Sequence, residues 1–263
     1  MIRIGAVQHP STESLLENFE YISNYTINAK EAGCSCVCFP ECSLTGYFPE
    51  KSMELSISPD DPIIAELSSL AKYMEIDILV GFMEAGKTSY YVTHGIFRPN
   101  GSTDFYRKSH LGKKEQLYFS EGQELPVFSL TCNLQIGFQL CVETHFPDIT
   151  QTLALRGAEV IFSPHAVPRI SGNREHIWNK YIPARSYDNR IYMICCNQWD
   201  EKRFGGGCLV TDPRGEIVSY TYKDSATLLT ANIDRELIIR YRTEGDKRST
   251  HYYPSKRRSE LYE

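Results

Sequence analysis

The run Gly137-Phe138-Gln139-Leu140-Cys141-Val142-Glu143-Thr144-His145-Phe146-Pro147-Asp148 passes from an apolar strand directly into a thiol, a carboxylate and an imidazole. Open α/β sheets hold their ligands just beyond the carboxyl ends of their strands, so this junction reads as the edge of a site. Two other segments share the pattern. Phe39-Pro40-Glu41-Cys42-Ser43-Leu44-Thr45-Gly46-Tyr47 leaves an apolar strand for a carboxylate, and Tyr106-Arg107-Lys108-Ser109-His110-Leu111-Gly112-Lys113-Lys114-Glu115 leaves another for a lysine. Taken singly, each has an ordinary alternative: Glu41 as a solvated loop carboxylate, Lys108 as a surface lysine, Cys141 as core filler.

Outward from these junctions the chain alternates strand and helix. Residues 2–8 alternate as a strand; 12–32 place Leu15, Phe19, Ile22 and Ala29 at helical spacing, with Ser11 or Thr12 as the cap. A short strand at 35–39 ends at Pro40, an irregular stretch rich in Ser and Pro fills 48–62, and a helix at 62–74 leads into the strand 78–82. Residues 90–98 and 102–107 form a hairpin about Pro99-Asn100-Gly101. The second half repeats the order: a hairpin of 127–130 and 134–140 around Cys132-Asn133, a helix near 147–157, a strand at 160–163, a helix at 174–189 and a strand at 191–197. Strands at 207–211 and 216–221 flank Asp212-Pro213-Arg214-Gly215, and 226–233 adds another. This order, run through twice without a linker, predicts an α/β fold with mixed sheets in a single domain spanning 1–263.

Read together, the three junctions resemble the nitrilase superfamily of carbon–nitrogen hydrolases. The resemblance covers essentially the whole chain. It includes the opening strand ending Ala6-Val7-Gln8, Ala184-Arg185-Ser186-Tyr187-Asp188-Asn189 on the late helix, and Phe204-Gly205-Gly206 followed by Gly207-Cys208. The turn Asp212-Pro213-Arg214-Gly215 and the closing Arg257-Arg258-Ser259-Glu260-Leu261-Tyr262 belong to it too. It implies a four-layer α-β-β-α sandwich, with two mixed β-sheets flanked by helices, paired through helices into a homodimer or higher homo-oligomer. It implies Cys141 as nucleophile, Glu41 as general base and later acid, and Lys108 as stabiliser of the tetrahedral intermediate. Glu115, seven residues after Lys108, matches the family's second glutamate and would orient Lys108 and the substrate amide; its ordinary alternative is a surface charge beside Lys113 and Lys114.

The chemistry asks for these residue types independently. A free thiol has a pKa of about 8.5 and is only slightly ionised at neutral pH, so a nearby base helps it attack. A desolvated carboxylate can serve in place of histidine, because burial raises its pKa toward the working range. An ammonium at Lys108 and the backbone N–H of Val142 suit an oxyanion, where one lost donor commonly costs about 3 kcal/mol. The implied steps are attack on an amide carbon, loss of ammonia, a thioester at Cys141 and attack by water. They require no metal and no organic cofactor.

The sequence departs from the family pattern just past the nucleophile. Many amidases and carbamoylases follow it with Tyr-Asp; here Val142-Glu143-Thr144-His145 precedes Phe146-Pro147-Asp148, which leaves the substrate subclass open. The substrate wall is expected to include Tyr47, six residues past Glu41, together with His145 and His165, although either histidine could instead be a packing residue. Arg169 and Arg174 follow, and either could hold a substrate carboxylate bidentately or be a surface arginine. The compact stretch from Lys108 to Glu115 favours a simple amidase of small linear amides. An N-carbamoyl amine or amino-acid amidohydrolase is the alternative, and nitrile hydrolysis comes third. A catalytically silent binding or assembly module predicts loss of a key residue, and all four are present.

Composition narrows the classes further. Hydrophobic and charged fractions of 41% and 23% are ordinary for a globular chain. A net charge of −5 gives no general affinity for nucleic acid or anionic membranes, and no apolar run reaches the roughly 20 residues that span a bilayer. Met1-Ile2-Arg3-Ile4-Gly5-Ala6-Val7 reads as a first strand rather than a signal peptide, so the expected compartment is the cytoplasm. Nine cysteines fit there as free thiols. Alternation places Cys34, Cys36 and Cys38 on one strand face opposite Val37. With Cys42 they could hold a metal, but the set lacks the separated Cys-x-x-Cys pairs of zinc sites and reads as core filler. The tail 248–263, with Tyr252, Tyr253 and Tyr262, resembles family tails that cross onto a partner subunit; its alternative is a frayed basic end.

Overall fold

A computed structural model describes residues 1–244 and 252–261. Its strands are β1 (Ile2–Gln8), β2 (Cys36–Cys38), β3 (Asp77–Ala85), β4 (Tyr90–Phe97), β5 (Thr103–Arg107), β6 (Phe128–Ser129), β7 (Gln135–Phe138), β8 (Val160–His165), β9 (Tyr192–Asn197), β10 (Cys208–Thr211), β11 (Ile217–Thr221) and β12 (Thr227–Ile233). The helices are α1 (Leu15–Glu31), α2 (Ser52–Leu55), α3 (Pro62–Met74), α4 (Pro147–Leu155), α5 (Arg174–Asn189) and α6 (Arg235–Thr243). One sheet runs β12-β1-β2-β3-β4-β5 and the other β11-β10-β9-β8-β7-β6. In each, three neighbours are parallel, β1-β2-β3 and β7-β8-β9, and the remaining pairs are antiparallel. Both sheets are therefore mixed, and the two halves repeat one plan.

Period-2 alternation along the strands sorts the apolar side chains into three interfaces. Between the sheets, Ile4, Ala6, Cys36, Cys38, Leu79 and Met83 meet Ile136, Phe138, Phe162, Ile194 and Cys208. On the outer face of the first sheet, Val7, Val37, Ile78 and Val80 pack under Ile22, Ala29, Ile64 and Leu67 of α1 and α3. On the outer face of the second, Ile161, Met193 and Leu209 pack under Leu153, Trp178 and Ile182 of α4 and α5. The result is the expected four-layer α-β-β-α order.

Several local expectations are corrected. α1 starts at Leu15, and its cap is Ser14, whose side chain accepts the Glu17 N–H; Ser11 instead donates to Gln198 at 2.6 Å. Cys34 lies outside β2, just past the turn after α1, donating its N–H to the Ala29 carbonyl, and packs in the same cluster as Val37. Of Cys34, Cys36, Cys38 and Cys42, the last three enter the core between the sheets. The four thiols thus fall in two layers. Among the described residues, no group of three or more His, Cys, Asp or Glu side chains is placed to hold a metal.

α6 is an additional element beyond the expected order. Of the tail, 248–251 and 262–263 lie outside the described residues. Two short 3-10 turns, Tyr253–Lys256 and Ser259–Leu261, form its described part, where Arg242 lies 5.5 Å from the Tyr252 ring centroid. Among the described residues, no helix is long and apolar enough to cross a membrane.

Candidate active site

Glu41, Lys108 and Cys141 reach one place because β2 and β5 of the first sheet and β7 of the second each end beside it. Beyond β2, Phe39 is held to Leu79 of β3 through its N–H at 2.9 Å, and the chain turns so that Ser43 N–H bonds Pro40 at 3.2 Å. Cys42 sits at φ 52 in that turn. The turn lies directly on Gly81, where any Cβ would stand 2.5 Å from the Cys42 nitrogen. Gln198 then fixes the Glu41 backbone, its Nε2 donating to the Glu41 carbonyl at 2.7 Å. Lys108 immediately follows β5 and stays in register through its N–H to Val92 at 2.8 Å. Cys141 opens a 3-10 turn, Cys141–His145, at φ 46. A non-glycine residue there costs on the order of 1–3 kcal/mol and persists only where its surroundings hold it.

Glu143 and Gln139 supply that hold. Both are buried. Glu143 Oε2 accepts the Leu140 N–H at 2.6 Å, and Oε1 accepts from Tyr106 Oη at 2.7 Å, Ser109 N at 2.7 Å and Ser109 Oγ at 2.6 Å. One carboxylate therefore ties the turn that carries Cys141 to the segment after Lys108. Gln139 Nε2 donates to the Glu143 carbonyl at 2.6 Å and its Oε1 accepts from Thr150 at 2.8 Å.

The electrostatics of the cluster follow from burial. Lys108 Nζ donates to Glu41 Oε1 at 2.7 Å and to both Glu115 oxygens at 2.8 and 2.9 Å. All three side chains are at most 3% exposed. Burial disfavours the Lys108 charge, but the adjoining Glu41 and Glu115 carboxylates outweigh it and hold the ammonium well above the ordinary lysine range. Desolvation pushes Glu41 up to about 7, against the opposing pull of Lys108. Its second oxygen, Oε2, is buried without a hydrogen-bond partner. Burial and the neighbouring carboxylates also push the Cys141 thiol up, while Lys108 and a hydrogen bond from the Ala166 backbone favour its thiolate. Burial thus favours the neutral thiol at Cys141, with Glu41 and Lys108 as its electrostatic neighbours.

Cys141, Lys108 and Glu115 open onto a cavity of about 910 Å³, which Tyr47, Val142, His145 and His165 also line. Tyr47 Oη donates to Glu115 at 3.0 Å. Val142 is the second residue of the 3-10 turn, where N–H groups lack intrahelical partners. His165 is fully buried against Trp178, ring centroids 4.9 Å apart. Its Nδ1 lies 2.8 Å from the Ser163 carbonyl, and desolvation lowers its pKa to about 3, so it is neutral with Nδ1–H as donor. His145 packs on Tyr181 with centroids 5.0 Å apart. Arg174 lines the cavity, whereas Arg169 does not; Arg169 is paired with Asp224 at 2.6 Å. Glu143, Gln139, Gln198 and the Ala166 N–H complete the site and had escaped the sequence reading. The one signal for Glu143 was its position two residues past the thiol, where the family pattern breaks.

The family model for carbon-nitrogen hydrolases matches residues 3–243. The chain is 26% identical over 268 residues to a nitrilase of Pyrococcus abyssi, covering 96% of this chain and 100% of that protein. It is 29% identical over 262 residues to the N-carbamoylputrescine amidase of Arabidopsis thaliana, covering 89% and 87% of the two. Among solved structures, an amidase of Nesterenkonia sp. AN1 superposes with a TM-score of 0.85 at 22% identity over 99% of this chain and 95% of that one. That likeness concerns the fold. With the family model spanning nearly all of it, the chain belongs to the carbon–nitrogen hydrolase family, whose members hydrolyse C–N bonds.

Proposed function

We propose that the protein hydrolyses a small linear carboxamide to a carboxylate and ammonia through a thioester at Cys141. The observation that carries this reading is the buried clamp on Lys108, which occupies one Glu41 oxygen and leaves Oε2 without a partner. That oxygen takes the Cys141 proton as sulfur attacks the amide carbon. The carbonyl oxygen becomes negative against the Lys108 ammonium and the Val142 N–H. Glu41 then gives the proton to the amide nitrogen, the C–N bond breaks, and ammonia leaves an acyl thioester. Water attacks the thioester carbon; Glu41 accepts its proton and returns it to sulfur as the C–S bond breaks. Glu115 and Tyr47 keep Lys108 aimed at the reacting oxygen throughout.

Precedent on the same fold supports a nucleophilic cysteine: in a mutant of the Nesterenkonia amidase, the acetamide moiety of fluoroacetamide is covalently added at the active-site cysteine. A second reading, an N-carbamoyl amine or amino-acid amidohydrolase releasing ammonia and carbon dioxide, is favoured by the N-carbamoylputrescine amidases among the relatives. Ammonia release measured across primary amides, N-carbamoyl compounds and nitriles separates these readings. Turnover of nitriles alone overturns the amide assignment.

The same reading treats 1–263 as one catalytic domain, in the cytoplasm, assembled as a homodimer or higher homo-oligomer. All nine cysteines are unpaired thiols, which suits a reducing compartment. Leu155 of α4 and Tyr187 of α5 remain exposed on the outer helical layer, which suits pairing through helices. Sedimentation equilibrium tests the assembly: a monomer at micromolar concentration contradicts it.

A further inference from the structure

The cavity beyond Cys141 is large for the substrate that the chemistry alone demands. Its volume of about 910 Å³ lies near the top of the range for drug-sized ligands, far more than a four-carbon amide fills. Its charge is also one-sided. Apart from the Lys108 cluster, the charged lining is Lys113, Lys114, Arg174, Lys202 and Arg203 against Glu50. Lys114 is matched to Glu50 at 2.9 Å and Arg203 to Asp200 at 3.1 Å, and Lys113 and Lys202 are exposed to solvent.

Arg174 is different. It is half-buried, and among the described residues no carboxylate pairs with it. Its Nη2 donates to the Ser171 carbonyl at 2.7 Å, with long contacts from Nη2 and Nε to Gly172 at 3.4 Å. It is also the first residue of α5, at the positive end of a helix dipole, where anions are favoured and cations are not. The nearby histidines His145 and His165 have pKa values lowered, by burial first, and so add no positive charge of their own beside it. A partly desolvated guanidinium without a counter-ion, in the wall that faces the nucleophile, is stabilised by an incoming planar anion.

We infer that Arg174 is a specificity-determining residue that holds a carboxylate at the far end of the substrate. The favoured substrates are then amides or N-carbamoyl compounds that carry an anionic carboxylate, and an amine at that end is selected against. This rests on the hydrolytic reading of Cys141 and adds the substrate class to it.

Three amides of matched length test it: pentanamide (neutral), glutaramate (anionic) and 5-aminopentanamide (cationic), with malonamate to adipamate scanning the spacing. The wild type should prefer the best carboxylate-bearing amide over its neutral match by at least about tenfold in kcat/KM, with the cationic amide worst. Arg174→Gln should bring that ratio close to one, and Arg174→Glu should reverse it toward the cationic amide. A merely structural role lowers all three rates alike and leaves the ratio unchanged, which overturns the inference. Calorimetry on the Cys141→Ala protein separates this from failure of the amidase reading. If glutaramate binds there and adding Arg174→Gln removes the binding, the subsite stands even if no amide turns over. If pentanamide and glutaramate bind and react equally well, the subsite falls while the amidase reading stands.

Discussion

Glu143 Oε1 accepts the backbone N–H of Ser109 at 2.7 Å, and this bond joins the turn that carries Cys141 to the segment that carries Lys108. The carboxylate receives donors from both sides, Leu140 N–H on one and Tyr106, Ser109 and His110 on the other. It is buried, and its hydrogen bonds reach neither the sulfur nor the Lys108 ammonium, so it acts through geometry.

Glu143→Gln keeps the shape but turns one acceptor oxygen into a donor facing N–H groups. Leaving such groups unsatisfied costs about 1–3 kcal/mol each, so unfolding free energy should fall by roughly that amount or more. Loss of alignment should lower kcat by about a hundredfold, with KM changed far less. Unchanged kcat with reduced stability would show that the residue only supports the fold.

The pH profile follows from Glu41. Its carboxyl is pushed up to about 7, and only the ionised form can accept the thiol proton. Going down from pH 8, kcat/KM should therefore fall with unit slope below an apparent pKa of about 7 that belongs to the coupled Glu41–Lys108–Glu115 set. An acid limb at the ordinary carboxylate pKa of about 4.3 contradicts the buried base.

Tyr47→Phe removes the phenol that donates to Glu115 at 3.0 Å while keeping the ring. The loss of one such bond is worth about 0.5–1.5 kcal/mol, so kcat/KM should drop by several-fold to about tenfold. Lys108→Ala is far more damaging, because it leaves two buried carboxylates facing each other; stability should fall by about 3–5 kcal/mol, read from denaturant midpoints, and turnover should vanish.

Much of this site is legible in the sequence because reactive residues sit directly after apolar strands, and strand ends in an open α/β sheet share an edge. On that ground the three segments stand out, and the family resemblance of the set singles out Glu41, Lys108 and Cys141. Glu143 could not be singled out, since its role depends on Ser109 and His110, more than thirty residues away in the chain. Cys34 was misplaced because alternation was extended past the true start of β2, whereas Gly33 at φ +77 ends the preceding turn. α6 escaped because only Ile238 and Tyr241 of its residues are buried, too few for a helical stripe. Its cap was readable: Asp234 accepts from Glu236 and Leu237 N–H. β3 runs on to Ala85 through Glu84, a buried charge that alternation alone would exclude, because Arg107 pairs with it and Thr93 donates to it at 2.6 Å.

Acid should weaken the fold through its buried imidazoles. Desolvation lowers His9 to about 4 and His94 and His165 to about 3, below the value of about 6.5 in the unfolded chain. The unfolded state then binds more protons between those limits, so stability is full above about pH 6.5 and declines as pH falls toward 3. Each histidine contributes roughly 1.4 kcal/mol per pH unit in that window. Chemical denaturation at pH 7 and pH 5 checks this; equal midpoints contradict neutral burial of all three.

The covalent step at Cys141 is tested most directly by mass spectrometry of the enzyme quenched in acid during steady-state turnover of a linear amide. The expected result is an acyl mass on the peptide containing Cys141, discharged by hydroxylamine and absent from the Cys141→Ala protein, whose turnover falls below about a hundredth of wild type. An acyl group on any other of the nine cysteines, or turnover that survives Cys141→Ala, contradicts it.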